Sequence, residues 1–138
     1  MDALILGKWQ LLSSTNFDEY SKACGVSFIY RKLAVTVESA IMEFVKINEY
    51  NYVMKTITAV KTWEQPFKLN EEYAEVTMDG RPVRSTMKWV GNKLIHHQKD
   101  PKVNFESTIE REFTKDELIT TCKCKGVVCV RKYKRVVG

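Results

Sequence analysis

Long apolar runs are missing from this sequence. A membrane-crossing helix needs about 20 consecutive apolar residues, and the longest runs in these 138 residues fall far short. The opening, Met1-Asp2-Ala3-Leu4-Ile5-Leu6-Gly7, starts acidic and has too short an apolar stretch for a secretory leader, so a cytoplasmic chain is expected. Glycine and proline are scarce, with 6 and 3 residues, which excludes collagen-like and low-complexity chains. Cysteine is limited to Cys24 and a late group of Cys122, Cys124 and Cys129. In a chain without a leader these read as reduced thiols rather than a disulfide scaffold. There is also no Gly-rich phosphate loop and no Gly-x-Ser-x-Gly elbow.

What is present suits one folded unit. With 44% hydrophobic and 28% charged residues the chain reads as globular rather than disordered. Its length fits a single domain over residues 1–138 with a core of its own. The net charge of +5 favours association with anionic surfaces.

Residues 4–14 form a β-like run, and a helix signal follows at once. Asn16 and Glu19 stand at capping-box spacing, with Asp18 and Glu19 at the positive end of the helix dipole. Phe17, Tyr20 and Cys24 recur at helical spacing, and Gly25 ends the pattern. Ser27 is placed to cap a second short helix over 28–34. After Val37 the segments are rich in Val, Ile, Thr, Phe and Tyr, punctuated by turn signals such as Asp79-Gly80, Gly91-Asn92 and Lys125-Gly126. About ten strands joined by hairpins result, and an up-and-down antiparallel meander of that number closes into a β-barrel. A barrel of that size can enclose a small ligand. The helical pair, over about 16–35, would cover one open end.

Alternation then places charge inside. In residues 104–113 the odd positions are Phe105, Ser107, Ile109, Arg111 and Phe113, while the even ones are polar or acidic. Successive side chains on a strand face opposite sides. The odd face is therefore interior, and it carries Arg111. A buried guanidinium must be hydrated, paired with a core Glu, or matched to an anion. The final strand has Val127, Cys129, Arg131 and Tyr133 on one face and Val128, Val130, Lys132 and Lys134 on the other. Both faces mix apolar and basic residues, so periodicity leaves the inward face open. If the odd face is inward, Arg131 and Tyr133 join Arg111 as a receptor for a carboxylate, because guanidinium forks and a phenol are all donors.

Several motifs carry a family resemblance: Gly7-Lys8-Trp9-Gln10-Leu11, Asn16-Phe17-Asp18-Glu19-Tyr20, Gly25-Val26, Ser107-Thr108-Ile109-Glu110-Arg111-Glu112 and Arg131-Lys132-Tyr133. Together they span nearly the whole chain, which resembles a cytosolic fatty-acid-binding protein of the intracellular lipid-binding protein family. The resemblance implies a ten-stranded barrel, a β-clam of the calycin type, with a helix-turn-helix lid between the first two strands. It implies noncovalent binding and transport of long-chain fatty acids, with no catalysis and no cofactor, the fatty acid being cargo. It assigns the ligand carboxylate to Arg111, Arg131 and Tyr133, and tail or portal positions to Phe17, Tyr20, Val26 and Ala34. It further implies a monomer that touches anionic membranes through Lys22, Arg31 and Lys32. In some relatives those three positions form a nuclear import signal, so a nuclear as well as cytoplasmic location follows. Ser21 takes a place that is usually apolar, and Val60 one where many members have Phe.

Three other readings stand beside this one. A retinoic-acid carrier shares the same fold and the same arginines. A basic barrel binding single-stranded nucleic acid would need outward aromatics interleaved with Lys and Arg, and the inward Phe105 and Phe113 argue against it. A thiol enzyme would need an activated cysteine. No metal site is expected: adjacent His96 and His97 face opposite sides of a strand, one inward beside Gln98, and three late cysteines lack a fourth ligand. The cysteines instead read as small packing residues.

Overall fold

The computed structural model describes residues 2–35, 40–58 and 61–136, with side chains described from Leu4 and not over 32–35. Val60 and the side chains of Lys32 and Ala34 thus lie outside the described residues. Among those described, a short helix α1 (Asp2–Ile5) leads into β1 (Gly7–Thr15), then α2 (Phe17–Ala23) and α3 (Phe28–Val35). Nine further strands follow: β2 (Ile41–Lys46), β3 (Asn51–Ile57), β4 (Thr62–Lys68), β5 (Tyr73–Val76), β6 (Pro82–Val90), β7 (Lys93–Asp100), β8 (Phe105–Phe113), β9 (Glu117–Cys124) and β10 (Val127–Arg135).

The strands form one ten-stranded sheet in the order β4-β3-β2-β1-β10-β9-β8-β7-β6-β5, and every pair is antiparallel. Only the β1–β10 pairing joins distant parts of the chain; the others are neighbours in sequence. The sheet curls into a nearly closed barrel in which β4 and β5 come together without forming a ladder. The expected fold is present, including the helical pair between the first two strands.

Local details differ from expectation at two places. Leu4 and Ile5 belong to α1 rather than to the first strand. Their carbonyls are taken by side chains: Trp9 Nε1 donates to Ile5 at 3.2 Å, and Arg135 donates to Leu4 at 2.6 Å and Leu6 at 2.8 Å. Gly7, at φ 104°, then turns the chain into β1. Asn16 does not form a capping box. It lies in the left-handed region (φ 63°), makes no side-chain cap, and donates from Nδ2 to the Val128 carbonyl at 3.3 Å instead. Strand and helix meet there without a linker, and Asn tolerates the sharp bend this demands. Ser27 does cap α3, accepting from Tyr30 N at 3.2 Å.

Inward side chains form two apolar clusters. One, at the far end, contains Ile5, Trp9, Phe44, Tyr52, Met87, Leu94, Phe113 and Leu118, with Trp9 edge-on to Phe113 at 5.6 Å. The other lies beneath the lid and contains Tyr20, Cys24, Phe105, Ile109, Cys122, Cys124 and Cys129, with Phe17 and Val26 against it. The lid is fastened to the barrel by polar contacts as well. Tyr20 hydrogen-bonds Ser107, Tyr30 donates to the Met78 carbonyl at 2.6 Å, and Arg81 donates to the Cys24 carbonyl at 2.8 Å.

All four cysteines are buried and none forms a disulfide. Burial pushes the Cys24 thiol up to about 12, which leaves little reactive thiolate at neutral pH. A hydrogen bond with Cys122 holds the Cys129 thiol below its ordinary value, but Cys129 is fully buried. Restricted access is therefore expected to make the native protein resist iodoacetamide over a time in which the urea-unfolded chain loses every thiol. Fast labelling of one cysteine in the native state would revive the thiol-enzyme reading.

A polar belt between two apolar clusters

Strand register places the polar interior between those clusters. Along β8, Phe105, Ser107 and Ile109 lie toward the lid and Phe113 lies in the far cluster, with Arg111 between them. Along β10, Cys129 faces the lid cluster and Tyr133 the far one, and Arg131 again lies between. The odd face of β10 is the inward face, while Val128 is 43% exposed on the outer one. Arg111 and Tyr133 are 5% and 4% exposed. The two arginines and Tyr133 thus all point into the barrel, on neighbouring inward positions of β8 and β10. Among the described residues, Arg111 Nε and Arg131 Nε are buried without a hydrogen-bond partner.

Arg111 is not isolated. Its Nη1 donates to His96 Nδ1 at 3.0 Å, and His96 Nε2 lies 2.8 Å from Glu75 Oε1. Gln98 Nε2 donates to the other Glu75 oxygen at 2.7 Å, and the Tyr73 hydroxyl donates to Oε1 at 3.2 Å. An arginine can only donate, so His96 Nδ1 must accept and Nε2 must carry the proton given to Glu75. Burial holds the His96 pKa below its ordinary value, more strongly than the neighbouring Glu75 raises it. Burial alone would raise the Glu75 pKa, but hydrogen bonds from His96 and Gln98 outweigh it and the net shift is downward. His96 is neutral and Glu75 ionised.

Charge accounting inside the barrel follows directly. Among the described residues of the belt, Arg111 and Arg131 carry two positive charges and Glu75 one negative, which leaves one positive charge without a counter-charge there. A single anionic headgroup would neutralise it. Burial, the largest influence, raises the Tyr133 phenol pKa despite the opposing effect of Arg131 and Arg111, so the phenol keeps its proton and is available as a donor. The second guanidinium is half-buried, and its carbon lies 4.0 Å from the centre of the Phe17 ring on the lid. That cation–π contact links lid position to the charged site.

These shifts define a pH response. Glu75 has a folded pKa below its unfolded value of 4.5, so the stability it contributes is present above that value and lost as pH falls through the folded pKa. His96, lowered from 6.5, binds protons more readily in the unfolded chain and adds destabilisation below pH 6.5. Both act in one direction. Urea midpoints are expected to fall from pH 6.5 downward and more steeply below 4.5, and Glu75→Gln should flatten the lower part of the curve.

The other expected positions divide. Phe17 lies over Arg131, Tyr20 is buried on Ser107, and Val26 packs beneath the lid. Lys22 is exposed. Arg31 is not available to a surface in the way expected. Its side chain is 14% exposed and donates to Asp18 at 3.1 Å and to the Val26 carbonyl at 2.7 Å, tying α3 to α2. His96 faces inward as expected, whereas His97 pairs with Glu106 at 2.7 Å on the outer side. Among the described residues no group of His, Cys, Asp or Glu is placed to hold a metal ion, and no helix is long and apolar enough to cross a membrane. Two open outer clefts, of about 320 Å³ beside Lys123–Gly126 and about 430 Å³ beside Pro66–Lys68, involve neither arginine.

Glu75 escaped the sequence reading. On β5 the inward residues are Tyr73 and Glu75, while Ala74 and Val76 face outward and Val76 is 64% exposed. Both faces of that strand carry an apolar side chain, so alternation gave no sign of an inward carboxylate.

Comparison with known proteins agrees with this architecture. Residues 6–136 match the family described as "Lipocalin / cytosolic fatty-acid binding protein family". Cellular retinoic acid-binding protein 2 of Mus musculus is 40% identical over 136 residues, covering 94% of this chain and 96% of that protein. Muscle fatty acid-binding protein of Schistocerca gregaria is 41% identical over 128 residues, covering 92% of each chain. The solved structure of the Schistosoma mansoni fatty acid binding protein in complex with arachidonic acid superposes with a TM-score of 0.88 at 34% identity, over 98% of both chains.

Proposed function

Since this chain belongs to the lipocalin / cytosolic fatty-acid binding protein family, we propose that it binds long-chain fatty acids reversibly inside its barrel and carries them through the cytoplasm. The observation that carries this reading is the buried belt with one unbalanced positive charge and two guanidinium Nε groups lacking partners. Arg111, Arg131 and Tyr133 hold the carboxylate, with charge-assisted hydrogen bonds worth more than neutral ones. The acyl tail lies against the apolar side chains, each buried CH₂ contributing roughly 0.8 kcal/mol. Phe17, Tyr20 and Val26 close over it. The chain works as a single monomeric carrier domain without catalysis, and the fatty acid is cargo rather than cofactor.

Loading and unloading take place at anionic membranes, with Lys22 as the exposed cation of the lid. Polybasic segments near such surfaces gain about 1 kcal/mol per charge. Entry into the nucleus is part of the same reading and rests on the resemblance alone.

The retinoic-acid reading is kept because several relatives at 38–40% identity are named for that ligand. Native mass spectrometry of freshly purified protein separates the cases. The expected result is a bound mass matching a fatty acid, and oleate displacing a fluorescent fatty-acid probe at lower concentration than retinoic acid does. A bound mass matching a retinoid, with the reverse order of displacement, would replace the fatty-acid assignment.

A further inference from the structure

The belt contains a fourth side chain that neither the motifs nor the charges pick out. Thr120 on β9 is the direct ladder partner of Arg111 on β8 and also of Arg131 on β10. Directly opposed residues on antiparallel strands share a face, and their Cα atoms lie about 4.5–5.5 Å apart. Thr120 therefore stands between the two arginines, on the same inward face and in the same row. It is 4% exposed, and its Oγ1 is buried without a hydrogen-bond partner. Its inward neighbours along β9 are Leu118 and Cys122, both buried in apolar clusters. A buried hydroxyl with no partner costs stability. A valine of nearly equal shape would remove that cost in a protein that only had to fold.

We propose that Thr120 is a direct contact of the bound acid, its hydroxyl donating to the carboxylate between the two guanidinium groups. The inference rests on the fatty-acid reading of the site and narrows its specificity. A carboxylate presents about four lone-pair directions, and the two arginines, Tyr133 and Thr120 are four donors converging from adjacent inward positions of β8, β9 and β10. A carboxylate uses all of them at once. An ester or alcohol headgroup carries no charge and has fewer acceptor sites, so it leaves part of the belt unsatisfied.

The test uses the full chain with Thr120→Val, which keeps shape and removes the hydroxyl, and Thr120→Ser, which keeps the hydroxyl. Binding of oleate and of methyl oleate is measured by calorimetry, and the carboxyl carbon of 1-¹³C-oleate is followed by NMR. Thr120→Val is expected to weaken oleate about tenfold, the loss of one hydrogen bond to a charged group, and to leave methyl oleate unchanged. It should also shift the ¹³C resonance and raise the melting temperature of the unliganded protein. Thr120→Ser should restore wild-type affinity and resonance. Unchanged oleate affinity and an unmoved resonance in Thr120→Val, in a protein whose wild type prefers oleate to its ester, would overturn this inference alone. A wild type without that preference would overturn the underlying reading instead. Should Thr120→Val not fold, the contrast between Thr120→Ala and Thr120→Ser in the same measurements decides the matter.

Discussion

Arg131→Gln is expected to weaken oleate binding by about 10- to 100-fold while leaving the melting temperature nearly unchanged. The asymmetry comes from what this guanidinium touches. Its Nε has no partner and its carbon lies over the Phe17 ring at 4.0 Å, so among the described residues the charge is set against a ring rather than a carboxylate. A hydrogen bond to a charged group is worth roughly 1.5–3 kcal/mol, which sets the expected loss of affinity. Glutamine keeps a donor and much of the volume, so packing beneath the lid survives. Isothermal titration with oleate, alongside a thermal melt, reads both numbers. A large drop in melting temperature with little change in affinity would make Arg131 a structural residue.

Glu75→Gln is expected to do the opposite. It removes the counter-charge of Arg111 while leaving the guanidinium in place, and it puts an amide where a carboxylate accepts from His96, Gln98 and Tyr73. The carboxylate reaches Arg111 only through His96, so the cost is that of weakening its buried hydrogen bonds. Each donor left unsatisfied costs roughly 1–3 kcal/mol, and so about 3 kcal/mol or more together. In a chain of 138 residues that is a fall of roughly 10 °C or more in melting temperature. The belt then carries two unbalanced charges instead of one, so a bound acid has more to neutralise. Saturating oleate should therefore raise the melting temperature of Glu75→Gln by more degrees than it raises that of the wild type. A smaller ligand-induced rise in the variant would contradict the charge accounting on which the site is built.

Arg111 explains why these two substitutions differ. The sequence left open whether its charge meets a core carboxylate or a ligand, and the answer divides between them. Glu75 compensates it through His96, while its Nε remains without a partner. Alternation along β8 was legible because hydrophobic and acidic residues separate cleanly on its two faces. Along β10 it was not, since Val128 and Val130 face away from the interior and Arg131 faces into it. Only pairing with β9 and β1 resolves that strand. Composition cannot show such a reversal, because it arises where the barrel interior is polar by design of the site rather than by distance from the core.

The same logic covers the remaining surprises. Asn16 carries the spacing of a capping box, yet the bend from β1 into α2 places it in the left-handed region and turns its amide toward β10. Arg31 looks like a surface cation in sequence, but Asp18 lies within reach only once α2 and α3 fold back on each other. Thr120 has no signal of its own in a strand rich in threonine and cysteine. Its position between the arginines exists only in the ladder. Elements set by local periodicity and turn chemistry were readable, whereas which side chains meet once strands pair and helices pack was not.

Paired titrations of oleate and methyl oleate into delipidated wild-type protein probe the enclosed charge most directly. The two ligands share a tail and differ by one negative charge at the head. Oleate should bind at least tenfold more tightly, with the gap closing in Arg131→Gln. Equal affinities in the wild type would mean that no acid-seeking charge lies within the barrel.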